Sequence, residues 1–203
     1  MRDICMKRYI TLLSLGLCLA VPMLSQANDI KPLMHVTNVH NGQYDAALDA
    51  ITDTKFYGPY QFRVLKNAIE TQGETKDIDG RAFRTSDGVF MHVKARSIDN
   101  GSASLDKEVK KIIEDRTVPE PTVKMVLPVK HDVIEVNNDG VRSLLAEFMY
   151  SWPLHNRTDM VLVTDYEDSR YYYKLQFYRD KLPEGIRIEQ LRQMIMDAQF
   201  SYK

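Results

Sequence analysis

Cysteine is missing from most of this chain: its two cysteines, Cys5 and Cys18, both fall within the first 27 residues. Residues 28–203 therefore offer no disulfide, thiolate nucleophile or thiolate metal site. Excess positive charge is missing too. Leaving out residues 1–27, with Arg2, Lys7, Arg8 and Asp3, turns 27 basic and 28 acidic residues into 24 and 27, a formal charge of −3. That balance carries no electrostatic footprint for DNA or RNA, and no basic amphipathic helix marks a membrane surface. The Gly-x-Ser-x-Gly elbow, the glycine-rich phosphate loop and the dinucleotide fingerprint are all missing. There is no internal repeat and no low-complexity segment.

What the first 27 residues do contain is the pattern of a secretory leader. Lys7-Arg8 precedes an apolar run from Ile10 to Leu24, and Ser25-Gln26-Ala27 supplies a small-residue cleavage pattern. Met6 is as good a start as Met1, and Cys18 follows Leu17 where a lipoprotein signal would place a small residue. Cleavage is expected near Ala27-Asn28, releasing a soluble chain with no membrane insertion. A cysteine-free exported domain suits a bacterial periplasm better than an animal extracellular space, where small domains are often disulfide-linked. The remaining 176 residues are enough for one domain that buries about 70% of its unfolded surface.

Residues 28–56 read as an arm with a short helix, in which Tyr44, Ala47, Leu48 and Ile51 recur at helical spacing. Asp53 to Tyr60, with Gly58-Pro59, reads as a break. Residues 57–203 read as the main domain. Tyr60, Phe62 and Val64 alternate with polar residues, as in a half-buried strand, and Val89–Ala95 is another strand, with a short one around Ala82-Phe83. Ser104 is the expected N-cap of a helix whose stripe is Leu105, Val109, Ile112 and Ile113. Val118-Pro119 stops it. Strands are then expected over 122–127, 131–136, 141–151, 160–164 and 170–178, with Asn137-Asn138-Asp139-Gly140 as a tight hairpin. Ile188, Leu191, Ile195 and Ala198 space a closing helix. Segregated strand runs and helices predict an α+β fold, an antiparallel sheet flanked by helices.

The aromatic run "SRYYYKLQFYR" raises the question of a binding surface. As a strand, it turns Tyr171, Tyr173, Leu175 and Phe177 to a core face and Tyr172, Lys174, Gln176 and Tyr178 to a mixed face. Tyr172 and Tyr178 thus become candidate contact residues, joined by Tyr150 and Trp152 from the end of "LLAEFMYSW" if the two strands are neighbours. The five histidines, His35, His40, His92, His131 and His155, sit in no catalytic signature. His35 and His40 lack the spacing that puts two imidazoles on one helix face. "KDIDG" resembles the middle of a calcium loop but has Ser86 where the bidentate carboxylate belongs. No catalytic residue, metal or cofactor is implied.

With the elements in this order, residues 57–200 resemble the PsbP-type α/β sandwich, which includes an extrinsic photosystem II subunit and small bacterial exported proteins. The resemblance rests on "YGPYQFRVL", "DGVFMHVKA", "SLDKEVKKIIEDR", "VIEVNNDGVRSLLAEFMY", "DMVLVTDYEDSRYYYKLQFY" and the closing "AQFSY". It implies a non-enzymatic binding or assembly factor and carries no catalytic residue. The expected function is an accessory protein that binds another exported or envelope protein. Two alternatives are a small-ligand binder or hydrolase with a pocket between sheet and helix, and an inhibitor or immunity protein of an exported enzyme.

Overall fold

The computed structural model describes residues 30–37, 42–71, 80–118, 126–151, 153 and 155–200. In chain order the elements are β1 (Met34–Thr37), α1 (Gly42–Ile51), β2 (Thr52–Tyr57), β3 (Tyr60–Leu65), β4 (Ile69–Glu70), β5 (Arg81–Arg84) and β6 (Phe90–Ser97). There follow α2 (Leu105–Thr117), β7 (Lys130–Asn138), β8 (Val141–Ser151), β9 (Asn156–Tyr166), β10 (Ser169–Tyr178), α3 (Ile188–Met196) and β11 (Gln199–Phe200). Among the described residues no helix is long and apolar enough to cross a membrane.

Eight strands form the main sheet in the order β1-β7-β8-β9-β10-β6-β5-β4. All its pairings are antiparallel except that of β1 with β7. The long central strands follow from alternation. In β10 the odd-numbered Tyr171, Tyr173, Leu175 and Phe177 all enter the inner core, as their period of two requires. The β7–β8 hairpin closes through Asp139 and Gly140, both at positive φ, 52° and 81°, the geometry that a two-residue turn needs to match strand twist.

A second, three-stranded sheet, β11-β3-β2, packs with α3 on the inner face. Tyr60 and Phe62 of β3 bring their rings within 5.0 Å of Tyr171 and 5.6 Å of Tyr173, inside the range where offset or edge-on aromatic pairs attract. The outer face receives α2, whose Leu105 and Val109 join Leu144, Ala146, Phe148, Val163 and Tyr172 in a separate cluster. The fold is thus mixed α and β, built around a large, mostly antiparallel sheet, and dominated by that sheet.

Several expectations change. The break placed at Asp53 to Tyr60 contains β2, a polar strand because it is paired on one side only, with β3. Within the arm, Met34–Thr37 forms β1 by parallel pairing with β7, a ladder that needs backbone groups and no hydrophobic alternation. The closing helix stops at Met196, and Ala198 lies beyond it, because Gln199 and Phe200 turn into the small sheet against Gln61 and Tyr60. Of the strand expected over 122–127, residues 122–125 lie outside the described residues, and Val126 and Leu127 are not in a strand. The calcium-loop resemblance at 76–79 also lies outside them.

Candidate functional site

Helix α2 begins at Ser104, whose Oγ accepts from the backbone N–H of Lys107 at 3.4 Å, as the capping expectation requires. Its apolar stripe docks on β8 and β9 and reaches Tyr172 of β10 at its edge, beside which the half-buried Lys174 and Lys94 and the exposed Arg96 lie on the same face of the sheet. There a cleft of about 260 Å³ opens. Its floor is Val161 of β9, Tyr172 and Lys174 of β10, and Lys94 and Arg96 of β6. Antiparallel pairing sets Tyr172 opposite Lys94, and the period of two brings Lys174 and Arg96 to the same face. Glu108, Lys111, Ile112, Asp115 and Arg116 form the helical wall, spaced at i, i+3, i+4, i+7 and i+8, one side of a helix.

Five cationic side chains and two carboxylates line this space, and several are already engaged. Glu108 Oε1 accepts the Tyr172 hydroxyl at 2.8 Å, and Glu108 Oε2 lies 3.5 Å from Arg170 Nη1. Burial and the neighbouring Glu108 charge push the Tyr172 phenol up to about 12. Lys94 and Arg96 sit 5.4 and 5.9 Å from the centre of the Tyr172 ring, within cation–π range. Arg116 lies over the Phe148 ring at 4.5 Å and donates to Asp159 Oδ2 at 3.3 Å.

Lys174 differs from these. Among the described residues its ammonium has no hydrogen-bond or ion-pair partner, and it is half-buried on the cleft floor. Burial, and then the charges of Lys94, Arg116 and Arg96, lower its pKa below the usual lysine range; Asp159 opposes this with a smaller effect. Asp159 itself is held above the usual carboxylate range, because burial outweighs the attraction of Arg157, Arg116 and Lys174. Its carboxylate is shared between Arg116 and Arg157, the latter at 2.9 Å. A cleft with crowded cations and an unpartnered ammonium on its floor is chemically suited to hold an anion.

The aromatic candidates separate. Tyr150 and Tyr172 are 4% and 5% exposed, so their rings do not make a solvent-facing rim. Strands β8 and β10 are not neighbours either, since β9 runs between them. Tyr150 and Tyr178 do share one row, each opposite Arg157, with the Arg157 guanidinium 4.7 Å from the Tyr150 ring centre. Tyr172 lies six residues away along β10, about 20 Å at roughly 3.4 Å per residue, and lines the cleft instead. Tyr178 is half-buried and meets His155 edge-on at 5.6 Å. Trp152 and His40 lie outside the described residues.

The other histidines are spread over the surface. His35 Nδ1 is 3.2 Å from Glu135 and His155 Nδ1 is 3.3 Å from Asp180, whereas His131 stacks on Phe148. His92 lies opposite Lys174 in the β6–β10 ladder. Among the described residues no group of three histidine, cysteine or acidic side chains is placed to hold a metal ion. Sequence pattern alone does not single out the cleft cations. Their visible trace is His92, Lys94 and Arg96 alternating along β6 and Lys174 on β10.

No protein-family model matches the chain, and no curated protein matches it. Among solved structures, a Bacteroides thetaiotaomicron protein is similar at 9% identity over 75% of this chain and 49% of that one, with a TM-score of 0.45. This chain therefore spans about half the length of that protein. A Pseudomonas aeruginosa protein of unknown function matches at 10% identity over 71% of this chain and 96% of that one, with a TM-score of 0.37.

Proposed function

We propose that this chain is a non-enzymatic binding protein that holds a small anionic ligand in the cleft between α2 and the outer face of β10 and β6. The observation that carries the proposal is Lys174: a half-buried ammonium, without a partner among the described residues, crowded by Lys94, Arg96 and Arg116. An anion in the cleft relieves the repulsion and supplies the missing acceptor. Among the described lining residues the one hydroxyl, that of Tyr172, is already donated to Glu108, which supports binding over nucleophilic chemistry. On the leader pattern, the same proposal places the protein in the periplasm after loss of residues 1–27. On its element order, it adopts the PsbP-type arrangement of helices on an antiparallel sheet.

The test is thermal unfolding at low salt with increasing inorganic phosphate. A ligand that binds only the native state raises the midpoint with concentration. The expected result is a saturable rise that salt weakens and that Lys174→Gln removes. Because the ammonium is crowded by like charges, Lys174→Gln is expected to leave the unliganded midpoint unchanged or higher, so a lost response is not misfolding. Equal responses in both proteins mean that phosphate acts through general salting effects and the cleft reading fails.

A further inference from the structure

The cleft reading leaves the class of anion open, and the lining narrows it. We infer that the ligand is a phosphorylated sugar or polyol: a phosphate monoester on a hydroxylated, non-aromatic body. This inference rests on the anion-binding reading of the same cleft. Its first support is the direction of the donors. Lysines and arginines come from β6 and β10 below and from α2 at the side. A planar carboxylate is matched by a single arginine fork, whereas charges arriving from separate elements suit the several oxygens of a phosphate. A phosphate monoester also carries about −1.5 to −2 charges at neutral pH, a better counterpart to five lining cations than a single carboxylate.

The second support is size. At roughly 30 Å³ per water, a volume of 260 Å³ holds about nine waters, several times what one oxyanion needs. The remaining space is enough to admit an organic body beside the phosphate.

The third support concerns the character of that body. Among the described residues Tyr172 is the only ring in the lining, and Lys94 and Arg96 already sit over it. A nucleobase therefore finds no free aromatic face to stack on. Asp115 on the α2 wall is an exposed carboxylate without a hydrogen-bond or ion-pair partner among the described residues. In a cleft otherwise dominated by cationic donors, it is an acceptor suited to ligand hydroxyls. Ile112, half-buried on the α2 wall, supplies apolar surface that a sugar's C–H face packs against.

Isothermal titration of the full-length protein separates the alternatives, using glucose 6-phosphate, inorganic phosphate, glucose, adenosine monophosphate and succinate as probes. The expected result is glucose 6-phosphate binding at least tenfold tighter than inorganic phosphate or adenosine monophosphate, with no detectable binding of glucose. Lys174→Gln should weaken glucose 6-phosphate roughly ten- to a hundredfold, the value of a charge-assisted hydrogen bond. Asp115→Asn should narrow the gap between glucose 6-phosphate and inorganic phosphate, because it weakens the acceptor for the sugar hydroxyls and removes a charge that repels phosphate. If inorganic phosphate binds as tightly as the sugar phosphate, or the nucleotide or succinate binds more tightly, the ligand class is wrong and the anion cleft stands. If no anion binds, both fall together.

Discussion

Glu147 on β8 is 2% exposed as a residue and faces α3, where Arg192 Nε and Nη2 donate to its two oxygens at 2.9 and 3.0 Å. Such a pair contributes little net stability beyond an apolar substitute, because desolvation offsets most of the attraction. Breaking it from one side is different. Arg192→Ala leaves a buried carboxylate uncompensated and is expected to lower unfolding free energy by about 3–5 kcal/mol. The double variant Glu147→Leu/Arg192→Met should recover most of that loss. Denaturant unfolding of the three proteins measures both effects, and equal stability of single and double variants would show that the pair is not what holds α3 to the sheet. None of this is legible in the sequence, where Glu147 breaks the apolar face of "LLAEFMY" and its partner is 45 positions away. Lys174 is hidden for the same reason: its type is visible, but the cations around it come from β6 and α2.

Elements are legible wherever local pattern and tertiary demand agree. Strands β7, β8 and β10 are readable because one or both of their faces are buried, and α2 is readable because its cap and its stripe coincide. Agreement failed at β2 and β1. Each is paired on one side only, and side chains that face water need no alternation. The cap of α2 is open to test. Ser104→Ala removes the acceptor for the Lys107 N–H and is expected to lower stability by about 1 kcal/mol. Ser104→Asp should retain the cap, since Asp is an equally good cap residue and adds a favourable charge at the helix N-terminus. Denaturant midpoints for the two variants decide this; an alanine variant as stable as the parent would mean that packing of Leu105 and Val109 alone fixes the start of α2.

At the scale of the whole molecule, the order of the strands is the part that sequence patterns do not encode. The β6–β10 pairing joins residues more than 70 positions apart, and it creates the cleft floor; β9 intervenes between Tyr150 and Tyr178 for the same topological reason. Long-range charge is likewise a property of the assembled fold. Arg142 of β8 reaches Asp106 on α2 through two hydrogen bonds at 2.8 and 3.0 Å and Glu135 on β7 at 2.8 Å, tying helix and sheet together. Hydrogen bonding to Arg142 is the largest cause holding Asp106 and Glu135 below their ordinary values of 3.8 and 4.5. In the window between those lowered values and the ordinary ones, the unfolded chain binds more protons than the native one. Stability from these groups is therefore fully present above their ordinary values and lost as pH falls through the lowered ones. Asp159 has the opposite sign, since burial raises it and its protonation favours the native state. Arg142→Gln returns Asp106 and Glu135 toward ordinary titration while leaving Asp159 alone. Unfolding free energies measured from about pH 6 down to about pH 2 should therefore fall more steeply for the parent than for Arg142→Gln, with the two curves converging at the acid end. Parallel curves offset by a constant would instead assign the contribution of Arg142 to packing of its aliphatic stem.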